Sequence, residues 1–163
     1  MSNVLRVADV GTEPLSSVLD RFGLELVAQR AGEAITGSYW GESEAGVVGC
    51  RVFVRPDTPV HSLLHEACHV ICMDGARRRC LERDAGGDDL EESAVCFLQI
   101  VLADAIDAVG RDRLMADMDA WGYSFRLGST RAWFERDADD AREFLLNHGL
   151  IDGTNKPTWR LRN

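Results

Sequence analysis

The stretch SLLHEACHVIC (62–72) decides how this chain is read. Across 63–72 every residue is apolar or a thiol except His65, Glu66 and His69. A buried polar group without a partner costs about 1–3 kcal/mol, and an unpaired charge more. The three side chains therefore need either three separate partners or one shared one. On a helix, His65 and His69 are separated by about 40° of rotation and roughly 6 Å of rise. Both imidazoles then lean over one spot, where an ion at about 2.1 Å can take a nitrogen from each. Glu66 lies about 100° round the helix and flanks that ion instead of binding it.

This is the H-E-x-x-H pattern of the zincins, in which a metal lowers the pKa of a water toward ~7. Glu66 is expected as the catalytic base that takes the water's proton and hands it to a leaving amine. The surrounding sequence suits a helix. Thr58 and Pro59 read as its cap and first turn, and the periodic stretch runs to about residue 73.

Other segments give a coarse outline. Residues 13–32 carry apolar side chains at helical spacing and read as a helix, with Gly23 a mild interruption. ITGSYWG (35–41) and GVVGCRVFVR (46–55) read as two strands. A charged loop, ARRRCLER (76–83) followed by DAGGDDLEE, reads as solvated. A long helix is expected over 89–109 and a short one over 111–121. After a turn, 130–149 reads as one amphipathic helix. The expectation is a single α+β domain over 1–163, with a small antiparallel sheet packed on helices. Within it a metal-site core spans about 46–109, a helical part 111–151 and a loose tail 152–163.

Composition narrows the function. The chain has 163 residues, 45% of them hydrophobic, a formal net charge of −9 and a pI near 4.9. That balance argues against a nucleic-acid partner, because phosphate neutralisation needs clustered Lys and Arg. No signal-peptide pattern opens the sequence and no apolar run approaches the ~20 residues a membrane helix needs. The odd count of five cysteines, with no C-x-x-C, reads as reduced thiols. A cytoplasmic protein without a membrane partner is expected.

A catalytic zinc usually has three protein ligands and an open position. Besides His61 and His148, the candidates lie in DDLEESAVCFLQIVLADAIDAV (88–109). With Glu91 at 0° on a helical wheel, Val95, Leu98, Leu102, Ala105, Ile106 and Val109 fall within about 60° of it. Glu92 falls near 100°, alongside Gln99. Glu91 heads the apolar stripe and so needs a cation. It is the expected third ligand, and Glu92 is left to an Asp89-x-x-Glu92 capping box.

With these residues in view, VFVRPDTPVHSLLHEACH followed by LEESAVCFL resembles the ImmA/IrrE-type metallopeptidases, which are minimal gluzincin-like proteins. The matching positions are His65, Glu66, His69, Glu91, Ala94 and Phe97, and the likeness covers about 46–102. Cys68 stands where the family usually has Gly, Val95 where it has Asn or Asp, and the usual Met-Pro is missing. The resemblance implies Zn²⁺ held by His65, His69 and Glu91, a zincin-like fold, and peptide-bond hydrolysis on one or a few intracellular protein targets.

A group that stabilises the tetrahedral oxyanion is also expected. Tyr123 and His148 lead, with Arg126, Tyr39 and His61 behind them. Residues 52–55 are expected to border a peptide substrate. The rival readings are a non-catalytic zinc-containing interaction module of the same fold, and a metal-free protein in which H-E-x-x-H is coincidence.

Overall fold

The computed structural model describes residues 3–38, 43–83 and 85–163. In chain order the elements are α1 (Val7–Val10), α2 (Thr12–Asp20), β1 (Glu25–Ala28), β2 (Gly46–Val48), β3 (Arg51–Val54), α3 (Val60–Cys72), α4 (Gly75–Arg79), α5 (Asp89–Ala103), α6 (Gly110–Trp121), α7 (Thr130–Arg136) and α8 (Asp139–Asn147). The class is α+β.

The sheet is mixed, not antiparallel. Its order is β1-β3-β2, with β1 parallel and β2 antiparallel to β3. The difference arises at Gly23, which takes φ 77° and stops α2. The next apolar residues, Leu26 and Val27, fit either period, and pairing with Val52 and Phe53 makes them a strand. Residues 46–55, expected as one strand, fold into a hairpin because Gly49 adopts φ 58° at the turn. Of the strand expected over 35–41, residues 35–38 form a turn and the rest lie outside the described residues. Gly46 passes so close to Thr36 that a Cβ there would sit 2.0 Å from its carbonyl oxygen. β3 is the central strand with both edges paired. Residues 51–53 are paired on both sides and leave no free backbone edge for a substrate there.

α3 enters from Pro59, its N-cap, while Thr58 turns its hydroxyl to the Arg55 amide. Leu63, Leu64, Ala67, Val70 and Ile71 are fully buried. Each large apolar side chain so buried contributes about 1.5–3 kcal/mol. α3 packs against α5, which packs on its other side against α8. α5 stops at Ala103, earlier than expected, because Ala105 and Ile106 donate to carbonyls only three residues back. The helix expected over 130–149 breaks at Asp137, whose carboxylate is held by Arg126.

The exit of α3 depends on two arginines. Arg78, buried in α4, donates to Val70 O (2.8 Å), Met73 O (2.6 Å) and Arg162 O (2.8 Å). Arg162 donates its amide to Ile71 O and its guanidinium to Cys72 O. The basic stretch 76–83 is thus not simply a solvated loop, and residues 152–163 are not loose. Both supply cations and donors to carbonyls that a helix end leaves unsatisfied. No helix among the described residues is long and apolar enough to cross a membrane.

Replacing Arg78 with Leu strips three carbonyls of a charged donor and is expected to lower stability by about 2–4 kcal/mol. Urea denaturation measures it. A loss below about 0.5 kcal/mol would show that water replaces the guanidinium.

Candidate metal centre

His65 and His69 sit one turn apart on α3, with ring centroids 4.8 Å apart and planes at 82°. Both present Nε2 to one carboxylate, that of Glu92 on α5. His65 Nε2 lies 3.0 Å from Glu92 Oε1, and His69 Nε2 lies 3.1 Å from Oε1 and 3.0 Å from Oε2. Ligand atoms of the three residues all fall within 4.8 Å of one another, the one such group among the described residues.

The expected third ligand was Glu91, and the structure places it elsewhere. Glu91 is buried as the wheel required, but its oxygens take two hydrogen bonds from Arg77 (2.7 and 3.0 Å), with Arg162 at 3.7 Å. Asp88 caps α5 by accepting from the Glu91 amide, which sets the first turn. One residue on, Glu92 faces α3. Glu91 is the buried carboxylate in need of a cation that the apolar stripe implies, but the cation is Arg77, not a metal. A signal for Glu92 was present in the polar Gln99. It lies seven residues further along the same face, inside an otherwise apolar helix.

Gln99 is completely buried. Its Oε1 lies 2.7 Å from His65 Nδ1, and its Nε2 donates to the His61 carbonyl at 3.2 Å. Burial alone would lower the His65 imidazole. The neighbouring Cys96 thiol and Glu92 carboxylate, with Tyr123 nearby, outweigh it and hold His65 well above its ordinary range. Burial would likewise raise Glu92, but the two histidines hold its carboxyl well below the usual carboxylate range. Lone pairs of two imidazoles and a carboxylate aimed at one point repel unless a cation, proton or metal, sits among them. A tetrahedral ion with bonds near 2.1 Å sets its ligand atoms about 3.4 Å apart. The nitrogen–oxygen spacings of 3.0 to 3.1 Å found here need only a slight spreading. Two imidazoles and one carboxylate also form a donor set that suits zinc and leaves a position open.

The centre lies between two cavities that share His65 and Glu92. The first, about 280 Å³, is walled by Glu66, His69, Glu44 and Ala85. The second, about 480 Å³, is walled by Cys96, Tyr123 and Phe125. Burial raises the Glu66 carboxyl, His65 and His69 oppose that, and the neighbouring Glu44 and Glu92 add to it. Tyr123 places its hydroxyl 3.1 Å from His61 Nδ1 and its ring centroid 5.9 Å from that of His65. Burial raises its phenol. His61 is itself buried and lines neither cavity. Its imidazole is pushed down to about 4, chiefly by burial, and is neutral at pH 7.

His148 does not join the group. It lies exposed at the end of α8, packs on Phe144 at 4.4 Å, and lines a separate hollow with Leu90 and Asp140. Arg126 is committed to Asp137, and Tyr39 lies outside the described residues. All five cysteines are free. No protein-family model, curated protein or solved structure matches this chain.

The two neighbouring glutamates separate in a metal assay. Glu92→Ala is expected to lose zinc on dialysis against a mild chelator. Glu91→Ala is expected to keep it while losing about 1–3 kcal/mol of stability, because Arg77 is left half-exposed and unpaired. Elemental analysis and urea denaturation read the two effects.

Proposed function

We propose that the chain is a zinc-dependent peptidase, with His65, His69 and Glu92 holding the ion and Glu66 as general base. The supporting observation is the convergence of two Nε2 atoms and one carboxylate at the partition between two cavities. Glu66 lines one cavity and Tyr123 the other. When bound, a zinc ion acidifies a water and polarises a peptide carbonyl.

The protein's own groups carry the remaining steps. Glu66 sits in a low-dielectric wall that favours its protonated form, so it both accepts a proton and gives it up again. It takes the proton of the attacking water and delivers it to the leaving amine nitrogen, so that one proton is moved and none is consumed. Tyr123 donates its hydroxyl proton toward the oxyanion that develops on the carbonyl oxygen. Neutral His61 holds that hydroxyl from behind. The substrate is a protein or peptide lying across the two cavities. Contacts to the cavity walls hold it, because β3 offers no free edge.

Zinc-loaded protein incubated with an unstructured protein or a peptide library, with cleavage followed by mass spectrometry, tests this reading. Glu66→Gln is expected to keep zinc and to lose about 10²–10⁴-fold in rate. Tyr123→Phe is expected to lose about 10²-fold in kcat. Zinc uptake with no cleavage of any substrate would select a non-catalytic zinc module instead. Protein that takes up no zinc overturns the proposal.

A further inference from the structure

The metal ligands differ in how they are held from behind. His65 has a side-chain partner on the nitrogen that faces away from the centre, and that partner is Gln99. For His69 the corresponding atom, Nδ1, is buried and has no partner among the described residues. An imidazole can bind an ion through Nε2 only if the ring's proton sits on Nδ1. The group behind the ring therefore decides whether it is ready to bind.

The direction of the Gln99 amide follows from its second contact. Its amide group lies 3.2 Å from the His61 carbonyl oxygen, an acceptor that requires an N–H. Turning the amide over would set two carbonyl oxygens against each other in a fully buried place. It would also aim an NH₂ donor at His65 Nδ1. The end that faces His65 is therefore the amide oxygen, which can only accept. At 2.7 Å it requires a proton on Nδ1.

We propose that Gln99 is a positioning residue: by accepting from His65 Nδ1–H it fixes that tautomer and presents a bare Nε2 to the ion. The inference rests on the metal-centre reading above. It goes further by assigning the readiness of one ligand to a buried amide on the opposite helix. The His61 carbonyl, one turn before His65 on the same helix, holds the amide in this sense. α3 thus orients its own ligand by way of α5.

The test uses the full chain and zinc itself. Zinc affinity is measured by competition with a chromogenic chelator. In the same zinc-loaded samples, nitrogen-edited NMR looks for the His65 Nδ1–H resonance, identified by its absence from His65→Gln. Wild type is expected to show that proton protected from solvent exchange. Gln99→Met, which keeps length and removes the acceptor, is expected to lose the protection and bind zinc about 10–100-fold more weakly. Gln99→Glu, which keeps an acceptor for Nδ1–H and can face the His61 carbonyl through a protonated carboxyl oxygen, is expected to restore the protected proton and most of the affinity. Circular dichroism checks that each variant is folded.

Two results overturn the proposal while leaving the metal centre standing. One is a Gln99→Met affinity within about twofold of wild type. The other is a Gln99→Glu variant that is folded but no better than Gln99→Met. If wild type takes up no zinc, the metal reading itself falls, and Gln99 falls with it.

Discussion

Helices α3 and α5 can pack only if the polar groups they bury satisfy one another. Their contact is otherwise a wall of Leu, Val, Ile and Ala. Into it α3 sends His65 and His69 together with the His61 carbonyl, and α5 sends Glu92 and Gln99. Positions 61, 65 and 69 recur every four residues and positions 92 and 99 lie seven apart, so each set shares one face. A slip of one residue in either helix would bury several donors and acceptors without partners, at about 1–3 kcal/mol each. Apolar packing would tolerate such a slip far better than this row of polar contacts does. The polar contacts therefore set the register that the apolar ones fill.

The start of α5 needs the same discipline, because it carries two adjacent carboxylates about 100° apart. Glu91 and Glu92 cannot share a partner. Arg77 on α4 and Arg162 in the tail take the first, and the two histidines take the second. Gly87 leaves room for this, since a Cβ there would lie 2.4 Å from the Glu91 carboxylate. Arg162 also bonds the last carbonyls of α3. The tail thus ties the end of the helix that carries the two histidines to the beginning of the helix that carries Glu92. A contact that looks peripheral adds to Arg77 in holding Glu91, while its neighbour Glu92 faces the histidines.

Local signals were strong enough in the sequence to reveal α3, its two histidines and the flanking Glu66. The apolar run is long, its polar exceptions are few, and helical spacing brings them together. The class and most helices followed from periodicity in the same way. The misreadings share a cause. β1 reads as helix because a four-residue stretch with Leu26 and Val27 fits either period, and only the pairing partner decides between them. Glu91 reads as a ligand because a wheel reports burial but not what lies opposite. Residues 76–83 read as a solvated loop and 152–163 as a loose tail, because nothing local says that a helix end will be delivered to Arg78 and Arg162. Each difference concerns a partner outside the element itself, which is the information that spacing does not hold.

The position of the centre bears on how a substrate could be held. H-E-x-x-H sets Glu66 about a quarter-turn from the histidines, so the base lines one cavity while His65 borders both. Tyr123 arrives from the turn after α6 and lines the opposite cavity. On the proposed reading, base and electrophile would then approach from different sides of the partition. The water comes to one face while the oxyanion develops away from it. Strand pairing along β3 would have held a peptide by its backbone and made recognition largely independent of sequence. With that edge closed by β1 and β2, discrimination on the proposed reading falls to side chains lodged in the cavities. The two differ in character: one carries Glu44 beside Glu66, the other Phe125 beside Tyr123. Selectivity would then come from the pair of residues flanking the cleaved bond, which suits a few defined targets better than general digestion.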